Sequence, residues 1–478
     1  MIYVTLLKEA GPNRYRLPRQ GSMNAEAIVY LNQELYRSFT EVESLRQLMD
    51  AASLPGVQDP VIGMPDIHTG FGLPIGGVMA MDASRGLVSA GAVGMDINCG
   101  VRLLKTNIEA GTLSKPVLRK LINAIVKRVP SGIGKKSKHS TLVKQHFRKL
   151  VQTGVPHLLE LGFGRPEDSL YIEEGGSFTG ADLSAVSREA QDRGIQLSTI
   201  GGGNHFIELG YVAEVFNAQT ASLLGLEPGM LTVLIHTGSR GFGHQICTDY
   251  SSKMLNTATK MKLIIPTSGL AAVPIKSPLG ESYLAAMACA VNFAFCNRQW
   301  ITDDVRKSFA SVLGGEESSY DLGLVYDVAH NIAKFEIVNN KKLLIHRKGA
   351  VRALPAGHPG NPPPYRITGH PIIIPGSMGT SSYVMLAGDK VVEAFYSVNH
   401  GAGRVLSRRA ARREIDLSEF KISMKDILIL GRNHKAYIDE APQAYKDIDA
   451  VIDTFVEIGF TQKVARLVPL AVIKGEER

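Results

Sequence analysis

LTVLIHTGSRG (231–241) runs an apolar segment rich in β-branched residues straight into a histidine and a glycine turn. The apolar half reads as a buried strand. The glycines after it let the backbone approach a ligand closely. His236 therefore stands where a strand ends and a turn begins. The same grammar recurs at GGGNHFIEL (201–209), DVAHN (327–331) and NHGAG (399–403), while MDINCG (95–100) sets Asp96 and Cys99 three apart in a glycine-flanked loop. A core histidine needs no such neighbours. Patches of one kind, far apart in sequence, point to one site assembled by the fold.

Outward from that strand, GLVYDV (323–328), FEIV (335–338), LLIH (343–346) and PIIIP (371–375) also read as strands. KPVLRKLINAIVKRV (115–129), 281–313 and APQAYKDIDAVIDTFVEI (441–458) read as helices by apolar periodicity, the middle one long enough to contain more than one helix. HPGNPPPY (358–365) reads as a surface loop rather than a linker. The site-bearing patches span residues 96–400, so cutting the chain would split them. The expected fold is α+β, one large domain over 1–478 with mixed β-sheets and surrounding helices.

The chain has 478 residues, 44% hydrophobic and 21% charged, which supports a large core and argues against disorder. A formal charge of +8 favours anionic partners such as nucleotides and nucleic acid without requiring them. Cys99, Cys247, Cys289 and Cys296 show no framework spacing, as expected of a reduced, cytoplasmic setting. The first eighteen residues do not read as a signal peptide. The apolar run 285–295 is too short to span a bilayer, so no membrane association is expected.

Asp96, Cys99, His205, His236 and His330 supply carboxylate, thiolate and imidazole, all metal donors, and suit one or two divalent ions. An anionic cysteine can bridge two cations. Thiolate with imidazole ordinarily favours zinc, so the donors alone do not select manganese.

IPGSMGTSSYV (374–384) follows a strand with a hydroxyl-rich turn that can cradle phosphate or a base edge, without being a Walker loop. In NHGAGRVLSRRAARR (399–413), a helix is expected from about Ala402, with Arg404 and Arg408 on one face and an anion-attracting N-terminus beside His400. His400 there can attack phosphorus and hold it as a phosphoramidate. HRKGAVRA (346–353) reads as a group that can meet RNA phosphates. KKSKH (135–139) reads as solvated surface and receives no role. Asp66 and His68, in GMPDIHTGFGLPIGG (63–77), are expected to line the substrate or support the site.

Taken together, MPDIHTGFGLPIGGV, GAVGMDINCGVRLL, GGGNHFIEL, HTGSRGFGHQI, DVAHN, HRKGA, IPGSMGTSSYV and SVNHGAGR resemble the RtcB-type RNA ligases, in the same order from about residue 60 onward. The resemblance implies joining of an RNA 3′-phosphate or 2′,3′-cyclic phosphate to a 5′-hydroxyl, with GTP and two Mn2+. It implies His400 as the guanylylated nucleophile and Asp96, Cys99, His205, His236 and His330 as manganese ligands, Cys99 bridging. Asn204, His205, Phe206, Ile207, Glu208, His330, Asn331, Pro375, Gly376, Ser377, Met378, Ser382, His400, Gly401, Ala402 and Gly403 are implied to hold the guanine nucleotide. Lys474 joins them as the lysine before a near-terminal glycine. RNA ends such as tRNA halves are the implied partners, together with an activating protein, as some members use. Two other readings remain open on the residues alone. One is a dinuclear metallophosphoesterase working on nucleic acid ends without a covalent nucleotide. The other is a non-catalytic RNA-binding module, which has no use for five metal-type donors.

Overall fold

The computed structural model describes residues 6–430 and 434–475; residues 1–5 of the N-terminal segment and 476–478 beyond Gly475 lie outside it. Period-two alternation sorts the strand residues onto two faces. One sheet runs Lys8–Glu9, Arg14–Leu17, Ala27–Tyr30, Val61–His68, Ile75–Asp82, Lys341–Lys348, Asn331–Val338, antiparallel except between Ala27–Tyr30 and Val61–His68. A second large sheet runs Gly323–Ala329, Gly100–Glu109, Met230–Thr237, Phe206–Val215, Thr461–Lys474, Ser382–Ala387, Ile372–Ile374, with Leu428–Ile429 added in parallel to Thr461–Lys474, and two two-stranded sheets complete the β structure of the described residues. Each sheet thus draws strands from widely separated parts of the chain. Strands and helices mix in the α+β manner expected.

Ile28, Ile62, Met64, Val78 and Ala80 of the first sheet share a core with Val101, Leu103, Phe206, Leu234 and Val328 of the second. The alternate residues Ala27, Val29, Val61, Ile207, Leu209, Val233 and Ile235 belong to a second core, which includes the helices. By the same alternation Asp66 and His68 follow Ile62 and Met64, Glu208 follows Phe206, and His236 follows Leu234. All point between the sheets. Register reinforces this, because His236 pairs with both Val101 and Phe206. The site residues thus gather between the sheets as the strands run out.

Residues 278–313 form one continuous helix, Pro278–Leu313, rather than several. No glycine or proline interrupts 281–313, and Ser277 caps the N-terminus through Gly280 N. By length and composition this helix is apolar enough to cross a membrane, yet 72% of its most apolar window is buried inside the protein. It packs on Lys115–Arg128, Ser140–Thr153 and Arg240–Lys260. The helix expected over 441–458 is shorter, Ile448–Glu457, capped by Asp447, which accepts from Asp449 N. The residues before it make only a 3-10 turn, Pro442–Ala444.

Candidate metal and nucleotide site

The loop carrying Asp96 and Cys99 is fastened from both sides. Asn98 N donates to Asn331 O at 2.7 Å, Asn331 Nδ2 donates to Asp96 O at 3.0 Å, and His330 N donates to Cys99 O at 2.8 Å. One ligand-bearing loop therefore positions the other. Gly238 completes the fit, since a Cβ there would lie 2.6 Å from the Asp96 carboxylate.

The five expected ligands converge. Cys99 Sγ is 3.2 Å from His205 Nε2 and 3.3 Å from His236 Nε2, and His236 Nε2 is 3.3 Å from His330 Nε2. Asp96 Oδ2 is 2.8 Å from His205 Nε2. Cys99–His236–His330 and Asp96–Cys99–His205 each bring three donor atoms within 4.8 Å of one another. Cys99 belongs to both sets, the arrangement a bridging thiolate requires. Tetrahedral bonds of about 2.0–2.3 Å set donors about 3.3–3.8 Å apart; the Cys99–His236 and His236–His330 spacings match this, while Asp96 and His205, at 2.8 Å, would have to part slightly around an ion. Burial alone would raise the Asp96 carboxyl, but contact with His205 and the charge of Arg240 hold it at about 2. Burial pushes the His236 and His330 imidazoles well below their usual range, leaving them neutral, as ligands must be. Burial, followed by the Asp96 charge, pushes the Cys99 thiol well up, so a cation is needed to hold its thiolate.

His400 closes the site on the opposite wall. Its ring centroid is 4.6 Å from that of His330. Its Nδ1–H donates to Asp66 Oδ2 at 2.8 Å, and His400 N and Gly401 N donate to the same oxygen at 3.2 Å. A carboxylate oxygen only accepts, so Nδ1 carries a proton, and in the neutral ring Nε2 is the nitrogen with the lone pair. Gly403, at φ +76°, lets this turn press on the Asp66 backbone; a Cβ there would fall 2.3 Å from Asp66 O. Lys446 Nζ, half-buried, donates to Pro65 O at 3.0 Å and Ile67 O at 2.6 Å, clamping the backbone either side of Asp66.

A cavity opens from His236 and His400. Asn204, Phe206, Pro375–Met378, Gly401–Gly403 and Lys474 line it, with His68, Arg404 and Arg408. Glu440 lies at its floor and gathers three cations: Lys474 Nζ at 3.0 Å, Arg404 Nη1 at 3.2 Å and Arg408 Nη2 at 3.4 Å. Burial would raise the Glu440 carboxyl, but these cations, Lys474 first, hold it at about 2. A polyanion entering here meets cations already oriented by a fixed carboxylate.

The family model described as tRNA-splicing ligase RtcB matches residues 47–475. The chain belongs to the RtcB family. Relatives named tRNA-splicing ligase RtcB include one from Archaeoglobus fulgidus, 42% identical over 98% of this chain and 99% of its own. One from Aeropyrum pernix is 44% identical over 95% and 96%. One from Thermococcus kodakarensis is 42% identical over 98% and 99%.

In this RtcB-family chain several expected nucleotide residues stand back from the cavity wall. Ile207 packs in the core on the opposite face of its strand. Asn331 is bonded to the ligand loop and, through Oδ1, to Gly349 N. Ser382 Oγ accepts from Gly376 N at 3.1 Å and so shapes the turn. Glu208 is buried beside Phe206, and burial raises its carboxyl to about 8. His205 and His330 lie in the donor cluster that could hold metal.

Two expectations are corrected. The helix after His400 is Arg408–Glu414, capped by Ser407, so no helix N-terminus adjoins His400 and Arg404 lies in the preceding loop. Ser407 wins because its side chain accepts from Ala410 N, while His400 N and Gly401 N are held by Asp66. His346, Arg347, Lys348 and Arg352 are buried rather than facing RNA. Arg347 pairs with Glu336, Arg352 with Glu173 and Glu174, and Lys348 donates to Phe71 O and Gly91 O.

Sequence reasoning missed Arg298 and Glu440. Arg298, in the long helix and fully buried, donates to Asn98 O at 2.9 Å and Thr237 O at 2.8 Å and pairs with Asp327 at 2.8 Å. It ties the Cys99 loop to the strand bearing His236. No local pattern marks either residue, because each acts on partners distant in sequence.

Proposed function

We propose that this RtcB-family ligase joins RNA ends carrying a 3′-phosphate or 2′,3′-cyclic phosphate to 5′-hydroxyl ends, using GTP and two Mn2+ through a guanylylated His400. The observation that carries this reading is the His400 Nδ1–Asp66 contact, which leaves Nε2 bare within the cavity that also exposes His236. A phosphoesterase that activates water needs no such imidazole.

Asp96, Cys99 and His205 would hold one ion and Cys99, His236 and His330 the other. Bound there, the cations neutralise phosphate charge and lower the pKa of an attacking hydroxyl. His400 Nε2 attacks the GTP α-phosphorus, forming a P–N bond as the bond to pyrophosphate breaks. Nδ1 keeps its proton, and Asp66 balances the resulting imidazolium. An RNA 3′-phosphate oxygen then attacks the same phosphorus, frees His400 and forms RNA(3′)pp(5′)G. The 5′-hydroxyl attacks the RNA 3′-phosphorus and GMP leaves; a cyclic phosphate is opened by hydrolysis first. Arg404, Arg408 and Lys474 bind phosphate oxygens, and Phe206, Pro375–Met378 and Gly401–Gly403 enclose the nucleotide. The chain works as one catalytic domain over 1–478, in the cytoplasm where the four free cysteines stay reduced. Incubation with α-labelled GTP and Mn2+ tests the reading. An acid-labile adduct lost in His400→Ala is expected. No adduct, with phosphate release from RNA ends, would favour the metallophosphoesterase.

A further inference from the structure

The charge of this chain is unevenly placed. Residues 110–159 contain eleven lysines and arginines and no aspartate or glutamate. The whole chain carries 53 basic and 45 acidic residues, so everything outside this segment has 42 against 45 and is slightly negative. The excess that favours a polyanionic partner thus resides in one stretch of fifty residues.

Among the described residues, the lysines and arginines of that stretch form no ion pair; its ion pairs involve only histidines, His139 with Asp304 and His157 with Glu160. Lys127, Lys135, Lys136 and Lys138 are exposed and Arg128 half-buried. Elsewhere the chain pairs its cations readily, as Arg347 and Arg352 show. Lys127, Arg128, Lys138 and His139 line a cleft between the helices Lys115–Arg128 and Pro278–Leu313. His139 gives it a firm wall, stacked on Trp300 with centroids 4.7 Å apart and held to Asp304 at 3.2 Å.

The segment is also continuous with the active site. Ile200 N donates to Pro130 O and Gly132 N to Ile200 O, both at 3.1 Å. Arg240 Nη2 donates to Gly132 O at 3.1 Å. Gly132 packs so closely on Gly475 that a Cβ on the latter would lie 2.5 Å from Gly132 N, and Lys474 beside it lines the cavity. From Gly132 to Lys138 the chain can extend at most about 20 Å.

We propose that Lys127, Arg128, Lys135, Lys136 and Lys138 form a track for the sugar–phosphate backbone of the RNA arm behind the ends being joined, a surface distinct from the metal and nucleotide site. The proposal rests on the RNA ligase reading. The track reads charge rather than sequence, so its signature is salt dependence.

The test uses the full chain with Lys135→Gln/Lys136→Gln/Lys138→Gln, and separately Lys127→Gln/Arg128→Gln. Filter binding of a 3′-phosphate hairpin RNA with a long duplex stem is measured across a salt series, beside labelling of His400 by α-labelled GTP without RNA. Labelling within about twofold of wild type shows an intact fold and site. The triple variant is expected to bind the hairpin at least about tenfold more weakly near physiological salt, with the log K against log salt slope reduced by about 2 to 3. Unchanged affinity and slope would overturn the track. So would an equal loss of binding and labelling. A wild-type protein that binds hairpin RNA but neither labels nor joins would count against the ligase reading alone, since the track is judged by wild-type against variant binding.

Discussion

Asp66 Oδ2 stands 2.8 Å from His400 Nδ1, although the two residues lie 334 positions apart in sequence. The contact fixes which imidazole nitrogen is free. Asp66→Asn is expected to slow His400 guanylylation by about 10²–10⁴-fold, because an amide can donate to Nδ1 and favour the wrong tautomer. Single-turnover labelling checks this, with the KM for GTP little changed. A rate within a few-fold of wild type would remove Asp66 from the orienting role.

Cys99 is shared by both donor sets, so its loss should differ in kind from loss of a terminal ligand. Cys99→Ala is expected to weaken binding of both ions, by more than about 100-fold. His330→Ala should spare the Asp96–Cys99–His205 set. Metal content measured after dialysis distinguishes them. Near-normal Mn2+ content in Cys99→Ala contradicts the bridge.

Arg298 supports the same loop from beneath. Arg298→Met leaves Asp327 with one of its two arginine partners, since Arg102 Nε still donates to it at 2.7 Å. Removing a partner from a buried ion pair costs about 3–5 kcal/mol. Denaturant unfolding should show a loss of that order, accompanied by weaker metal binding. Unchanged stability would mean that Arg102 alone satisfies Asp327.

Glu208 has a carboxyl raised by burial to about 8 from 4.5. In the folded state it keeps its proton where the unfolded chain has lost it. Its contribution to stability is therefore fully present below pH 4.5 and lost as pH rises towards and through about 8, by up to about 1.4 kcal/mol per pH unit. Glu208→Gln should lose this dependence, so its Tm relative to wild type should climb over that window. A constant Tm difference across it would show that Glu208 titrates normally.

Strand ends and glycine turns made the donor set legible, because each ligand carries its local context with it: His236 at the end of LTVLI, His330 after GLVYDV, Cys99 in MDINCG. The α+β layout followed from the same strands and the apolar helix periods. What could not be read was pairing at long range. Arg298 resembles any polar residue in a long helix until Asp327 and Asn98 are folded against it, and Glu440 resembles a surface acid until Lys474 and Arg404 arrive. The same blindness misread one charge run: HRKGAVRA reads as a phosphate contact because Glu336, across a hairpin, and Glu173, remote in sequence, are the partners of Arg347 and Arg352. KKSKH, read as solvated surface, has its three lysines exposed. The start of the helix near His400 was misplaced because Asp66, 334 residues away, holds the turn that a local reading gives to the helix.

The central claim is that His400 carries the nucleotide beside cations held by Asp96, Cys99, His205, His236 and His330. Electron density after soaking crystals with GTP and Mn2+ tests it most directly. Continuous density from His400 Nε2 to the α-phosphorus of a guanylate, with metal peaks on either side of Cys99 Sγ, is the expected result. An intact triphosphate lying away from His400, or a guanylate joined to another residue, would contradict it.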